Sequence, residues 1–314
     1  MHHRTWALLG ALVLVLAACG PAATATPVPT KVPTAAATST PAPTGFVNPQ
    51  LLMETASLAQ RLTDVDLRIV DVRSADRYNE GHIPGAVNLA LAQVTINVPV
   101  SGMAAPPDKF AEVMGSLGIA NSNRVVVYDD TALNAARLFW LLEYYGHKNV
   151  SVLNGGYPKW AAESREVTRV APKVTPASFT AQADSSKVAT KQDVLDRVGK
   201  PGVAFVDART PKEYSGEDIR APATRGGHIP GAASLNYVDT LLPQSATYKS
   251  AADLRAMFTK AGVTPDKEAI SYCQTGVRAA VDYLVLRLLG FQKVRNYDGS
   301  WVEWGNDQTT PIEK

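Results

Sequence analysis

Cysteine is nearly missing from this chain: its 314 residues carry two, Cys19 and Cys273, in such different surroundings that each needs its own account. Histidine is sparse too. Neither His82 nor His228 has a cysteine, histidine or carboxylate at metal-ligand spacing, so both read as turn-structuring residues. Charge of one sign is also lacking, with a formal net charge of +2 and no basic stripe, which leaves no electrostatic reason to expect nucleic acid as a partner. What is present is globular in composition, 46% hydrophobic and 19% charged, and long enough for about two domains.

The first cysteine is explained by its neighbours. The run WALLGALVLVLAAC follows MHHRT, is too short and too early for a good spanning helix, and has the shape of a secretory signal. Its LAAC ending resembles the lipobox of bacterial lipoproteins, in which the signal is cut before the cysteine. Residues 1–18 are therefore expected to be a signal peptide and Cys19 a lipidation site, holding the protein to a membrane by a lipid anchor, outside the cytoplasm. An uncleaved anchor, or a common signal peptide with an incidental cysteine, is the alternative. From residue 19 to residue 45 the chain is almost entirely Pro, Thr, Ala and Ser, a composition that buries no core and reads as a tether.

The remainder is a repeat. IVDVRSADRYNEGHIPGAVNL returns as FVDARTPKEYSGEDIRAPATRGGHIPGAASLNY, and RVVVYDD…VSVLNGGYPKW returns as AISYCQT…VRNYDGSWVEW. In the second block the register is constant at 144 residues: Gly118 to Gly262, Tyr128 to Tyr272, Gly146 to Gly290, Gly155 to Gly299, Trp160 to Trp304. Two homologous domains follow, at 46–165 and 185–314, joined by a polar, proline-containing segment at 166–184. Within each, short β-branched runs alternate with helical patterns, which predicts an α/β fold, a parallel sheet flanked by helices. Thr210-Pro-Lys-Glu213 has capping-box form and predicts a helix start directly after the FVDAR strand. Val277, Ala280, Val281, Leu284, Val285 and Leu288 fall on one helical face and predict a helix after Cys273 that packs on the sheet.

Cys273 thus leaves the carboxyl end of a parallel strand and opens a helix, where backbone N–H groups and the positive end of the helix dipole converge. Those donors and Arg278 favour the thiolate, the attacking form of the residue. A small buried hydrophobe is the structural alternative, but the polar, glycine-bearing QTG that follows is more than a packed strand end requires.

With the V-D-x-R strand ends at Asp71–Arg73 and Asp207–Arg209, GHIPGA at Gly81–Ala86 and Gly227–Ala232, the CQTGVR loop at Cys273–Arg278 and DGSWVEW at Asp298–Trp304, the chain resembles a two-domain rhodanese, a sulfurtransferase. The resemblance implies two tandem rhodanese-like domains. It also implies a Cys273 persulfide, formed from a small anionic donor such as thiosulfate or 3-mercaptopyruvate and discharged to cyanide or another thiophilic acceptor. The loop Gln274, Thr275, Gly276, Val277 and Arg278 would cradle the anionic sulfur, with no metal or organic cofactor. The 144-residue register puts Asp129 opposite Cys273, and a carboxylate forms no persulfide, so the first repeat is expected to be an inactive scaffold. Asp71–Arg73 and Asp207–Arg209 occur in both repeats and read as structural pairs.

An insertion lengthens the Asp-to-His spacing from 11 in the first repeat to 21 in the second and carries Arg225, a candidate for binding the substrate anion, with Arg220 as second choice. One departure stands out. Animal rhodaneses and mercaptopyruvate sulfurtransferases have an arginine where this chain has Glu213, and Gln274 and Thr275 match neither donor's usual loop. Two rivals remain open. One is a phosphatase of the same fold, whose C-x5-R loop is one residue longer than Cys273–Arg278; the other is a surface-tethered sulfur carrier that hands its persulfide to a partner protein.

Overall fold

β-Branched runs with every second residue apolar on each side can be buried only between two helical layers, and both halves of the chain solve the problem in the same way. The computed structural model describes residues 44–314, so the signal peptide, Cys19 and all but the last two tether residues lie outside the described residues. No described helix is long and apolar enough to cross a membrane.

The first half contains β1 (Leu52–Met53), α1 (Thr55–Ala59), β2 (Leu67–Asp71), α2 (Ala75–Glu80) and β3 (Ala86–Asn88), followed by the antiparallel hairpin β4 (Thr95–Ile96) and β5 (Met103–Ala104). Then come α3 (Pro107–Ser116), β6 (Arg124–Tyr128), α4 (Leu133–Tyr144), β7 (Val150–Leu153) and α5 (Gly156–Ala162). The second half repeats the order with β8 (Val188–Ala189), α6 (Lys191–Leu195), β9 (Val203–Asp207), α7 (Pro211–Ser215) and β10 (Ala233–Ser234). It closes with α8 (Ala251–Lys260), β11 (Glu268–Tyr272), α9 (Ala279–Leu288), β12 (Val294–Tyr297) and α10 (Ser300–Asn306). Each half forms a five-stranded sheet, ordered β1-β7-β6-β2-β3 and β8-β12-β11-β9-β10, with every pairing parallel.

Side chains of successive strand residues go to opposite faces. Val125 and Val127 join the core shared by both halves, while Val126 and Tyr128 join an outer cluster with Leu58, Tyr78 and Trp160. The second sheet does likewise, Ala269 facing the shared core and Ile270 and Tyr272 facing Val194, Trp301 and Trp304. α4 and α9 pack against each other in the shared core, so α9 is covered on both sides and is buried at every helical residue except Arg287. Two sheets back to back through α4 and α9 make one core out of two repeats.

The expected capping box is present: Thr210 accepts from the Glu213 N–H, and the Glu213 carboxylate accepts from the Thr210 N–H and hydroxyl. Residues 166–184 lie along the first half, pinned by the His82–Thr168 bridge, by Ala177 N–H to Gly115 and by Gln182 N–H to Tyr145. Phe179 from this segment is buried in the shared core.

Candidate active site

β11 lies between β9 and β12 and is buried over its last four residues, so the residue that leaves its carboxyl end starts from a rigid position. That residue is Cys273, itself buried beside Ala208, Ala279 and Tyr237. Its N–H donates to Ser300 Oγ at 3.1 Å, its carbonyl accepts from Trp301 N–H at 2.9 Å, and the Gln274 carbonyl accepts from Val302 N–H at 3.0 Å. The first turn of α10 therefore holds the root of the loop. Ser300 adopts φ +51°, a left-handed conformation that costs a non-glycine residue on the order of 1 kcal/mol, and its hydroxyl donates in turn to the Tyr297 carbonyl. The strain aims the Oγ at the Cys273 amide.

Gly276 makes the sharp turn, at φ +77°, with a built Cβ only 2.8 Å from the Asp298 carbonyl, so no side chain fits. Its carbonyl accepts from Asn296 Nδ2 at 2.9 Å and from Arg137 Nη1 at 3.2 Å. Arg137 comes from α4 of the other half. Its Nη2 also donates to Asp298 Oδ1 and to the Gly102 carbonyl, both at 2.6 Å, and Ala104 N–H donates to Asp298 Oδ2 at 2.9 Å. The β4–β5 hairpin and α4 of the first half thus brace the loop of the second. Sequence reading missed Arg137, Asp298 and Ser300. The signal was available in the aligned DGSW and NGGY, where Asp298 and Ser300 stand against Asn154 and Gly156.

Arg278 closes the loop just before α9 and is held by a bidentate pair, Nη1 and Nη2 donating to the two oxygens of Glu213 at 2.7 Å each. Glu213 is 1% exposed. Burial pushes its carboxyl up, but the pair with Arg278 and the Thr210 cap win and bring it down to about 2. Burial likewise works against the Arg278 guanidinium, and Glu213 together with the charge of Cys273 holds it above its ordinary value. Arg278 therefore stands near the thiol, as expected of the loop's last residue, but with its charge balanced by Glu213.

Gln274 Nε2 donates to the Arg220 carbonyl at 2.8 Å, and the Arg220 side chain, 55% exposed, reaches Asp218 at 3.2 Å and Glu213 at 3.9 Å. The insertion does meet the loop, through Arg220. Arg225, the first choice as an anion binder, does not serve: its guanidinium is consumed by the carbonyls of Trp304, Gly305, Asp307 and Thr310 and by the Thr310 hydroxyl. It staples the chain after α10, and its assignment to substrate is corrected.

The paired strand-end residues are structural in both halves. Arg209 donates from Nε and Nη2 to Asp207 and from Nη2 to the Gly227 carbonyl at 2.7 Å, and Arg73 does the same with Asp71 and Gly81. His82 and His228 stack on Tyr78 and Tyr214 at 3.7 and 3.6 Å and bond the carbonyls of those residues through Nδ1.

The loop of the first half has the same shape, with Ala132 at φ +67° in the place of Gly276. There the Asp129 carboxyl accepts from the N–H groups of Thr131, Ala132 and Asn134 at 3.1, 2.6 and 2.8 Å. Burial pushes that carboxyl up, against those donors. In register, the corresponding amides of the second half are those of Thr275, Gly276 and Arg278, and among the described residues none of them has an acceptor.

The rhodanese-like domain family matches the chain twice, at residues 54–163 and 190–307. A thiosulfate sulfurtransferase of Azotobacter vinelandii is 36% identical over 270 residues, covering 85% of this chain and 98% of that relative. The sulfur carrier protein TtuD of Thermus thermophilus is 38% identical, over 86% of this chain and 99% of its own length. Among solved structures, the 3-mercaptopyruvate sulfotransferase SseA of Escherichia coli superposes with a TM-score of 0.73 at 30% identity, over 80% of this chain and 98% of that one.

Proposed function

The chain belongs to the rhodanese family as a tandem sulfurtransferase, and we propose that it moves a sulfane sulfur from thiosulfate, or from 3-mercaptopyruvate, to cyanide or another thiophilic acceptor through Cys273. One observation carries the residue assignment. In the first half a carboxyl group accepts from the loop amides; in the second the register puts a thiol in the carboxyl's place, and among the described residues the same amides have no acceptor.

The Cys273 thiolate attacks the outer sulfur of thiosulfate. A new S–S bond forms, the old one breaks, and its electron pair leaves on sulfite. The persulfide's terminal sulfur carries the negative charge into the amides of Thr275, Gly276 and Arg278, which were placed before the charge arrived. Cyanide then attacks that sulfur, thiocyanate departs, and the electron pair returns to Cys273. Arg137–Asp298 holds the loop while this happens. Mass spectrometry of the intact protein before and after thiosulfate tests the reading: a gain of one sulfur on Cys273, lost on adding cyanide, is expected. No gain with either donor would overturn it. Steady-state turnover with cyanide separates an enzyme from a carrier that discharges only to a partner protein.

We also propose that Cys19 is acylated and that the protein works outside the cytoplasm on a membrane surface. The support is the LAAC ending of the apolar run and the tether composition that follows it. Cys19→Ala should release the protein from the membrane fraction or leave it unprocessed. Equal retention of processed wild type and variant would overturn the anchor.

A further inference from the structure

We propose that Glu213 is a specificity-determining residue: by holding Arg278 in a neutral pair, it makes the loop select against donors of double negative charge relative to donors of single charge. The proposal rests on the sulfur-transfer reading above and names what tunes it.

Arg278, half-buried near the thiol, has the Glu213 carboxylate in bidentate contact, and the buried cations around it are paired as well, Arg209 with Asp207 and Arg137 with Asp298. The carboxyl of Glu213 is ionised throughout the working pH range, so the cancellation is permanent. Net charge at the loop is therefore close to zero, and attraction comes from N–H dipoles, which act over a few ångströms. Arg220, mostly exposed and shared between Asp218 at 3.2 Å and Glu213 at 3.9 Å, adds only a screened charge at the rim.

Glu213 is also well fixed. Thr210 N–H and hydroxyl bond its Oε2 at 3.1 and 3.0 Å, so the carboxylate cannot swing away to free the arginine. A neutral loop has a mechanistic use. Sulfite, the product of the first step with thiosulfate, carries the same double charge as the donor, and a bare arginine would hold it back. The persulfide needs no cation to be retained because it is covalent.

Coulomb energy is linear in the probe's charge. If removing the Glu213 charge speeds a singly charged reagent by a factor f relative to a neutral one, it should speed a doubly charged one by about f squared on the same scale, a change in thiolate fraction being common to all three. The test uses Glu213→Gln, which keeps the capping-box geometry and one bond to Arg278. Three reagents probe Cys273: iodoacetamide, neutral; iodoacetate, singly charged; thiosulfate, doubly charged. The iodoacetate-to-iodoacetamide rate ratio is expected to rise roughly three- to tenfold, and kcat/KM for thiosulfate by about the square of that factor. The double variant Glu213→Gln/Arg278→Gln restores a neutral site and should return the alkylation ratio to the wild-type value.

Equal changes with all three reagents, or a double variant that stays at the single variant's ratio, would overturn the proposal. Should Glu213→Gln fold poorly, Glu213→Asp keeps the charge and must keep the ratio; a ratio that moves with Asp also overturns it. A wild type that accepts no sulfur, but whose alkylation ratio still responds to Glu213→Gln, sinks the activity reading and leaves the charge effect standing.

Discussion

The two halves share strand order, loop shape and the buried Asp–Arg pair at each strand end, yet a handful of register positions separate a filled loop from a working one. Asp129 faces Cys273, Asn154 faces Asp298, Gly156 faces Ser300 and Leu138 faces Asp282. At the last two positions the first half holds the residue that suits folding. Gly156 takes φ +56° without strain where Ser300 takes +51° with it, and Leu138 fills with carbon a position where Asp282 buries a carboxyl group with no hydrogen-bond partner. The comparison teaches that the backbone is indifferent to activity, and that each half carries its own local misfits: Ser300 and Asp282 in the active half, and Ala132, left-handed where the active half has Gly276, in the other.

Five substitutions, in four comparisons, would break or sharpen that contrast. The largest effect is expected at the facing pair itself. Cys273→Ser should abolish persulfide formation by mass, while Asp129→Ala should change kcat/KM by less than about threefold; similar losses from both would end the division of labour. Asp298→Asn installs the residue of the first half but leaves the Arg137 charge buried without its counter-ion. Urea unfolding should show a loss of about 3 kcal/mol, with a lower kcat at an unaltered number of reactive thiols.

Asp282 comes third. Burial pushes its carboxyl well above 3.8, with Asp207 and Asp239 adding repulsion. The neutral acid is therefore favoured in the fold, its contribution is whole below about pH 4, and stability is lost as pH rises from there toward the folded value. The slope is at most about 1.4 kcal/mol per pH unit for one group. Asp282→Asn should flatten that dependence and be more stable than wild type at pH 8 by about 1–3 kcal/mol in urea titrations. Ser300→Gly is expected to have the smallest effect: stability within about 1 kcal/mol of wild type as relieved strain offsets the lost hydroxyl, with a several-fold fall in kcat/KM.

Much of this is legible in the sequence. Alternation of β-branched and helical runs marked the parallel sheets, the constant register exposed the duplication, and the polar loop after a buried strand singled out Cys273. Charges were the weak point. A sequence shows that Arg225 and Arg278 are cations but not what satisfies them, and both turned out to have partners 65 or more positions away. Arg137 was invisible for the same reason: it is a charged residue buried on an apolar helix, and only the fold reveals that it reaches across to Asp298. Ser300 was hidden by its type, since serine does not announce a left-handed backbone as glycine does.

Each half also lends an arm to the other. The β4–β5 hairpin reaches Asp298, while in the opposite direction the Tyr248 N–H bonds Asn154 and the Ala246 carbonyl accepts from Gly155 N–H. The consequence is one of timing. The contact between Arg137 and Asp298 spans 161 residues of chain, so it closes only after the later half has emerged and docked on the earlier one, and contacts of such separation are among the last to form. A polypeptide that crosses a membrane from its amino end would have its bracing half folded first and its thiol loop unlocked until the very end of the chain is through. Activity would switch on once, at completion, and a chain stalled midway would carry no half-made reactive site.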